Sequence, residues 1–497
     1  MDLAVQQENN RIKSSLSVHP FVRILERSFY MDKRMSELLQ FNMDYLEEKL
    51  HTDKNFDILK HEISFGNKKA VYYFIDGFCK DDIMQKLNQF FVEWKDDNAE
   101  QTIEQLLQNA MPYPEIGKEN RWDNIICSLL SGVIILFIEG LGECIYIDAR
   151  TYPARDVSQP EKEKALRGAR DGFVETIVFN TALLRRRIRD EHFIIEMKQV
   201  GTKSKTDVAV CYMEGTVDQR FLTMIMNKIA AISVEALTVS QETLAECLYP
   251  SKWYNPFPKF RFTERPDVAS AQLIEGNIII LTDNSPFAMI LPVSLFDILE
   301  EADDYYFPPI TGTYLRLSRI LIGIISFFIT PTYLLLMMNP DWIPISLQFI
   351  QTKETVNVPI ILQFLILELG IDGLRLAAVN TPNMLSTPLS VMAALVIGEF
   401  SVNSGWFNAE VMLYMAFVAI ANYTQTSYEF GYAVKFLRII TLIATAVFGV
   451  FGYIMGIMLY LFAMLINKTI SGRHYLYPLI PFHLGKLRTR LFRRQLH

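Results

Sequence analysis

Three charged side chains interrupt an otherwise apolar segment, residues 360–380. Glu368, Asp372 and Arg375 stand at positions i, i+4 and i+7, so a helix would carry them on one face. Charges at membrane depth usually face a bundle interior, a cavity or an interface. One interpretation is a cation path, since a ring of such acids from identical subunits attracts cations. The other is structural: an Asp372–Arg375 pair, or an amphipathic helix at the cytoplasmic interface with Arg375 reaching the headgroups.

The next segment, 385–399, is short and rich in small residues. Small side chains at helical spacing would let copies of this helix pack closely around an axis, and a large apolar side chain among them would gate by dewetting. An ordinary helix–helix interface is the alternative. Asparagine and proline residues in and before the segment predict a break in the helix. The candidate ion-pathway residues are Ser386, Leu389, Met392, Ala393, Val396 and Glu399, and the candidate break or hinge residues are Asn380, Pro382, Asn383 and Pro388.

No enzyme motif stands in the sequence. There is no HExxH, no P-loop, no GxSxG and no glycine-rich loop between a strand and a helix. The seven histidines are dispersed, and the five cysteines include no CxxC pair. We therefore expect no catalytic residues, no metal and no cofactor, and we expect the protein not to be an enzyme.

Composition indicates a membrane protein. Half of the 497 residues are hydrophobic, and the mean hydropathy is +0.16. The run 315–338 is long enough to span a bilayer, and 436–466 is long enough to span with a tilt. Arg316 and Arg319 flank the first run and a basic tail follows the last, which predicts that both ends are cytoplasmic. If both ends of the membrane region are cytoplasmic, the chain must cross the membrane an even number of times. Five apolar segments are present, so either one of them does not span the membrane or the last one is a hairpin that crosses twice.

The region before the first apolar run has the composition of a soluble protein. Residues 1–13 are polar and lack the apolar core of a signal peptide, which predicts that this region stays in the cytoplasm. The net charge of −7 argues against nucleic-acid binding. Strand and helix patterns alternate, which predicts two α/β subdomains. Predicted strands are 71–76, 207–213 and 236–240, predicted helices are 81–94, 218–232 and a broken 161–191, and predicted hairpins are 132–150 and 277–292.

The predicted fold class is an α/β soluble region of two α/β subdomains followed by an all-α multi-pass membrane domain. The boundaries follow the shifts in pattern along the chain. They are an N-terminal extension 1–60, a first α/β subdomain 61–155, connecting helices 156–202, a second α/β subdomain 203–300, a linker 301–314, a transmembrane domain 315–470 and a basic cytoplasmic tail 471–497.

A run of arginines closes the predicted connecting helices. Arginine suits bidentate carboxylate contacts, so we predict contacts between subunits or between domains at this run and at two further charged positions. The alternative is a solvated or salt-bridged helix end. The residues concerned are Glu175, Arg185, Arg186, Arg187 and Arg265.

Several motifs together resemble those of the GerA family, the A subunits of spore germination receptors. They stand here as QPEKEKALRGARDGFVETIVFNTALLRRRIRD (159–190), NPFPKFRFTERPD (255–267), LIEGNIIILTDNSPFAMILP (273–292) and DDYYFPP (303–309). The likeness covers nearly the whole chain from about residue 60. The stretch 373–417 departs from the nutrient receptors of the family, which indicates a separate branch.

The resemblance implies a multi-pass protein of the spore inner membrane, with its soluble region on the core side. It further implies an oligomer, a pentamer, with a cation-conducting pathway that opens during germination or amplifies the response. The implied partners are further copies of the chain, another small membrane subunit and other germination membrane proteins. Two alternatives stay open, a nutrient-germinant receptor A subunit and a non-conducting scaffold for other germination proteins. A secondary transporter is a third class, although no inverted repeat is visible.

Overall fold

A computed structural model describes most of the chain, which divides into two compact units. The N-terminal unit comprises Met1–Glu163, Arg170–Thr243 and Thr263–Ala288, and the C-terminal unit comprises Lys164–Ala169, Leu244–Phe262 and Met289–His497. The residues described are 34–65, 68–79, 81–93, 115–150, 168–250, 253–352, 358–380, 398 and 400–493.

The first sheet has five strands with helices on both faces. Its elements are α1 (Leu39–Lys49), β1 (Ile58–Phe65), β2 (Lys68–Ile75), α2 (Asp81–Glu93), β3 (Ile116–Glu119), α3 (Trp122–Leu130), β4 (Ile134–Ile138) and β5 (Cys144–Ile147). The strand order is β1–β2–β4–β5–β3. Tyr73 and Ile135 face a core shared with α1 and α3, while Tyr72 and Leu136 face a core shared with α2. The central strand β4 is apolar throughout, because alternate side chains point to opposite faces and both faces are covered.

The second sheet also has five strands. Its elements are α4 (Ile177–Arg187), β6 (Phe193–Val200), β7 (Thr206–Met213), α5 (Gln219–Ala230), α6 (Ser240–Leu248), β8 (Arg261–Thr263), α7 (Pro266–Ile274), β9 (Ile278–Thr282) and β10 (Ala288–Leu291). The strand order is β6–β7–β9–β10–β8. β7 pairs antiparallel with β6 and with β9, and β1–β2, β2–β4, β4–β5 and β3–β5 are antiparallel as well. These alternating strands and helices therefore build antiparallel ladders, not the parallel sheet typical of βαβ repeats.

Two predictions of local structure need correction. The strand predicted over 236–240 is not formed, because only Leu237 of that run is buried and Ser240 already begins α6. The helix predicted over 161–191 is limited to α4 among its described residues. The strand β6 follows within the range that was assigned to connecting helices. By contrast, both predicted hairpins are confirmed, as β4–β5 and β9–β10.

The C-terminal unit is helical beyond β10. Its helices are α8 (Pro309–Met338), α9 (Ile360–Asn380), α10 (Ala409–Tyr423), α11 (Tyr428–Ile466) and α12 (Leu484–Leu491), with one-turn helices at Leu295–Ile298, Asp303–Tyr306 and Ser401–Asn403 and 3₁₀ turns at Pro340–Trp342 and Ile345–Ile350. Two of them, α8 and α11, are long and apolar enough to cross a membrane by length and composition. Side chains of α8, α9, α10 and α11 share one apolar core around Tyr333, Phe364 and Met415.

The helix α11 folds back on itself at Gly449, whose φ of 59° and ψ of −132° are not helical. A Cβ on Gly452 would collide with the carbonyl of Ala444, and one on Gly456 would lie 2.5 Å from Thr441. Residues eight positions apart in a straight helix are about 12 Å apart along the axis, so these contacts require a hairpin. The segments 428–448 and 450–466 are therefore two antiparallel arms, which is one of the two solutions that the crossing count left open.

Candidate functional site

Four charged side chains form a cluster between apolar helices. α9 supplies Glu368 and Asp372, and the first arm of α11 supplies Lys435 and Arg438. Arg438 donates from Nη2 and Nε to Glu368 Oε1, at 2.6 and 3.0 Å. Lys435 Nζ lies 3.3 Å from Glu368 Oε2 and is also ion-paired with Asp372. Glu368 therefore has a cation against each of its oxygens.

A third helix joins the cluster through its backbone. Arg438 Nη1 donates to the carbonyl oxygen of Ser326 in α8, at 3.2 Å. The two acids are spaced i, i+4 on α9 and the two cations i, i+3 on α11, so each helix presents its charges on one face. The cluster thus connects α8, α9 and α11 at one level of the bundle.

The cluster is buried and has no net formal charge. Arg438 is fully buried, Glu368 is 3% exposed and Lys435 is 4% exposed, while Asp372 is partly exposed. Two carboxylates and two cations cancel. This neutrality stabilises the cluster, because removing one partner of a buried ion pair would leave an uncompensated charge among apolar side chains that solvate it poorly. Both acids of the sequence-predicted ring therefore have cation partners within their own chain.

Arg375, the third charge of the predicted face, is not paired with Asp372. The Asp372 carboxylate is ion-paired with the buried Lys435 instead. The structural interpretation that predicted an Asp372–Arg375 pair is therefore wrong. The Arg375 guanidinium lies over two aromatic rings, 5.1 Å from the centroid of Tyr423 and 5.5 Å from that of Tyr432. Its Nε and Nη2 atoms have no hydrogen-bond partner among the described residues. A cation–π contact therefore replaces the predicted ion pair.

Most of the predicted pore segment lies outside the described residues. Of the break residues, Asn380 ends α9 and is exposed. The other predicted pathway and break residues, Pro382, Asn383, Ser386, Pro388, Leu389, Met392, Ala393, Val396 and Glu399, lie outside the part of the chain that the structure describes.

The predicted contact residues have partners within the N-terminal unit. Arg185, at the end of α4, is fully buried and binds both oxygens of Asp57, from Nε at 2.9 Å and from Nη2 at 3.1 Å. Its Nη1 donates to the carbonyl oxygen of Phe193 at 2.8 Å. Arg185 thus ties α4 to β6 and to the residues just before β1.

The other members of this predicted set are less buried or are held locally. Arg187 is 2.7 Å from Asp171, and the buried Arg265 is 2.7 Å from Asp267. The backbone oxygen of Glu175 accepts from Asn284 N at 2.8 Å, and Arg186 is exposed. Contacts between subunits stay a prediction for this set.

A second charge network surrounds the start of α8. Asp304 is fully buried and accepts from Arg316 Nε at 3.3 Å and from Arg319 Nη1 at 3.1 Å. Arg319 is also ion-paired with Glu301. Burial raises the pKa of the Glu301 carboxyl above its ordinary value, and the guanidinium of Arg319 opposes that rise. The predicted linker is therefore a packed segment fixed to the first apolar helix.

The C-terminal tail joins the same network. Arg490 in α12 is 3.0 Å from Glu300 and 2.9 Å from Asp297. Arg316 binds Glu300 at 3.1 Å and donates to the backbone oxygen of Arg490 at 2.8 Å. The start of α8 and the tail helix therefore share one set of carboxylates.

Sequence reasoning missed Lys435 and Arg438. Both stand in or beside an apolar run and are separated from α9 by more than 50 residues, so no local pattern connects them. The available signal was charge balance, because acids on one apolar helix require cations on another.

Comparison with known proteins assigns the family. The family model described as "Bacillus/Clostridium GerA spore germination protein" matches residues 44–497. The chain belongs to the GerA family. Within it, the chain is 37% identical over 445 residues to stage V sporulation protein AF of Bacillus subtilis (strain 168), covering 89% of this chain and 90% of that protein. The GerA resemblance and the branch that includes stage V sporulation protein AF are both confirmed.

Two further relatives extend the comparison. The uncharacterized membrane protein YfkQ of Bacillus subtilis (strain 168) is 28% identical over 457 residues, covering 91% of this GerA protein and 88% of that one. The crystal structure of the N-terminal domain of the A subunit of the Bacillus megaterium spore germinant receptor GerK3 aligns with a TM-score of 0.40 at 24% identity, covering 52% of this chain and 96% of that chain.

Proposed function

We propose that this GerA protein crosses the inner membrane of the spore several times and keeps its N-terminal unit on the cytoplasmic, core side. Support comes from α8 and α11, which have the length and composition of membrane-crossing helices, and from membership of a spore germination family. The similarity to a protein described as a membrane protein points the same way.

The fold-back of α11 supports an even number of crossings. Thr426, just before α11, donates to the carbonyl oxygen of Ile298, and Leu295 N donates to the oxygen of Tyr475, beyond the end of α11. The chain on both sides of α11 therefore contacts the segment that precedes α8. If the short apolar segment 385–399 crosses as well, as we propose, α8, α9, α10, this segment and the two arms of α11 make six crossings, which leaves both chain ends on one side.

We propose that copies of the chain assemble as an oligomer, a pentamer in line with the resemblance, around a cation pathway that opens during germination. The observation that carries this proposal is the neutral, buried cluster built on Glu368 and Arg438. It holds α9 against α8 and α11, and α9 leads directly into the predicted pore segment. Both acids already have cation partners, so we propose that the cluster does not form the selectivity ring. Instead it keeps α9 packed against α8 and α11 while the pathway is closed, and we call it the latch.

In our proposal, the charge network at the start of α8 is where the opening signal reaches the membrane helices. Arg316 and Arg319 attach the first residues of α8 to Glu300 and Asp304. A displacement of this acidic segment would move α8, and with it the Ser326 carbonyl that Arg438 contacts. The proposed signal therefore passes from the segment 297–304 along α8 to the latch.

Flux measurements test the channel. The full-length protein, alone and with its co-expressed small membrane subunit, is reconstituted into liposomes that contain a potassium-sensitive dye. We expect cation flux above that of protein-free liposomes, and we expect Glu368→Gln to raise the resting flux because Arg438 loses its carboxylate. The ratio of potassium to chloride permeability should stay unchanged in Glu368→Gln, since this acid does not face the path.

Three results would redirect the proposal. Absence of flux from an intact oligomer would favour a non-conducting scaffold. A changed cation-to-anion ratio in Glu368→Gln, with normal assembly, would restore the acid-ring interpretation. A monomer in cross-linking and mass measurements would exclude a pathway between subunits. Asp372→Asn is the matched control for Glu368→Gln, because its partly exposed carboxylate has the smaller role in the latch.

A further inference from the structure

An aromatic pair stands out on the surface of the C-terminal unit. Trp253 is 95% exposed and Tyr254 is 63% exposed, and their rings meet edge to face with centroids 6.0 Å apart. Two adjacent, exposed aromatic side chains form an apolar surface that water solvates poorly. Such a pair therefore indicates a surface that another phase or another molecule covers.

Neighbouring contacts fix this pair beside the end of an apolar helix. Asn255 Nδ2 donates to Asn467 Oδ1 at 3.1 Å, and Asn467 directly follows the last residue of α11. Lys259 Nζ donates to the carbonyl oxygen of Lys468 at 2.5 Å. Two residues of chain span at most about 7 Å, so Trp253 lies within that distance of the Asn255 backbone and close to the end of α11.

The surroundings change from apolar to basic over a few residues. Leu465 and Ile466, the last residues of the second arm of α11, are exposed. The turn that follows is closed by a bridge between Lys468 and His474, and both Lys468 and Arg473 are exposed. Apolar side chains, then tryptophan and tyrosine, then lysine and arginine are the sequence of groups found from the bilayer core to the headgroups.

We propose that Trp253 and Tyr254 insert into the headgroup layer of the cytoplasmic leaflet, while Lys468 and Arg473 contact the phosphates of anionic lipids. The loop 253–259 then works as an interfacial anchor that holds the chain between α6 and β8 against the membrane. A lipid surface is favoured over a second copy of the chain because the loop contacts the residue that follows the exposed apolar end of α11, and because the basic turn complements anionic headgroups. This inference rests on the proposed membrane insertion.

Fluorescence quenching by lipids tests the anchor. The full chain is reconstituted into vesicles of phosphatidylcholine and phosphatidylglycerol, with bromine atoms placed either near the headgroup or near the bilayer centre. The emission of Trp253 is isolated as the difference between the wild type and Trp253→Phe, whose folding is verified by its oligomeric state in size-exclusion chromatography. We expect most of this difference emission to be lost with the shallow quencher and retained with the deep one.

The other tryptophans distinguish a failure of the anchor proposal from a failure of the proposed membrane insertion. Trp342 and Trp406 are exposed residues of the C-terminal unit, whereas Trp122 is buried in the N-terminal unit. Quenching of the residual emission, without quenching of the Trp253 difference, would overturn the anchor and leave the membrane insertion standing. No quenching of any tryptophan would overturn the membrane insertion itself. Trp122→Phe is the control whose difference emission should stay unquenched.

Neutralising the basic turn tests the choice of lipid. In the variant Lys468→Gln with Arg473→Gln, we expect the Trp253 emission to shift to longer wavelength, because the ring returns partly to water. The same red shift is expected for the wild type in vesicles without phosphatidylglycerol. Arg488→Gln, an exposed cation on the tail helix, is the matched control and should leave the emission unchanged. An emission that is independent of both phosphatidylglycerol and the basic turn would overturn the headgroup contact.

Discussion

Arg185 and Arg438 are both fully buried, and they are satisfied in different ways. Arg185, in the N-terminal unit, forms a bidentate pair with Asp57 and donates to the Phe193 carbonyl. Arg438, between apolar helices, binds one carboxylate oxygen of Glu368 and the backbone oxygen of Ser326, and it shares that acid with a second cation. The first is a closed pair, whereas the second belongs to a chain of four charges.

The difference follows from which acceptors each region offers. Strand edges and loops in the N-terminal unit leave carbonyl oxygens free to accept, as at Phe193. Within apolar helices, nearly every carbonyl already accepts from the residue four positions on, so these helices offer a buried cation few backbone acceptors, and Arg438 finds one at Ser326. A buried cation in the helices therefore requires an acid, and each extra cation requires another. A buried arginine therefore forms a local ion pair in the N-terminal unit, whereas in the C-terminal unit it belongs to a charge cluster that connects three helices.

The largest effect is expected from Arg438→Met. This change leaves the buried Glu368 and the partly exposed Asp372 with Lys435 as their one cation, and one negative charge is uncompensated. We expect a loss of about 3–5 kcal/mol in the free energy of unfolding, the usual cost of breaking a buried pair. Denaturant titration of the protein in mixed micelles measures it. The double change Arg438→Met with Glu368→Leu keeps the Lys435–Asp372 pair and should recover most of the loss. A single variant as stable as the wild type would show that the cluster is solvated.

A smaller effect is expected from Arg185→Lys, which keeps the charge but removes the planar fork. An ammonium group cannot bind both oxygens of Asp57 and the Phe193 carbonyl in the geometry that the guanidinium uses. We expect a loss of about 1–3 kcal/mol, the cost of leaving buried hydrogen-bonding groups unsatisfied. Chemical unfolding followed by far-ultraviolet circular dichroism reports this loss. The exposed neighbour offers a control, since Arg186→Lys should change stability by less than about 0.5 kcal/mol. Equal effects of the two changes would refute the comparison.

The smallest effect at neutral pH concerns a third buried cation, Lys259, which has only neutral acceptors and aromatic rings among the described residues. Burial lowers its pKa to about 8. Between that value and the usual value near 10.4, the unfolded chain binds more protons, so stability rises with pH by up to about 1.4 kcal/mol per unit. The gain is absent below pH 8. We expect the melting temperature of the wild type, relative to Lys259→Met, to rise between pH 7.5 and pH 9.5. Parallel melting curves across that range would exclude a titrating Lys259.

Local patterns predicted many elements correctly because they depend on short-range spacing. The hairpins over 132–150 and 277–292 follow from apolar alternation on either side of a turn. The strand predicted over 236–240 failed because a short apolar run is ambiguous until its burial is known. The apolar run 436–466 was ambiguous as well, because one straight helix and a hairpin of two helices have the same composition.

The sequence by itself determined the family, the presence of long apolar helices and the single face that carries Glu368, Asp372 and Arg375. Helical spacing decides that face, and spacing is a property of the chain alone. Only the tertiary structure decided that Glu368 pairs with Arg438, that Arg375 turns to tyrosine rings and that α11 folds back at Gly449. Those outcomes depend on which helices meet, and partners of a buried charge are selected by contact across the bundle, not by distance along the sequence.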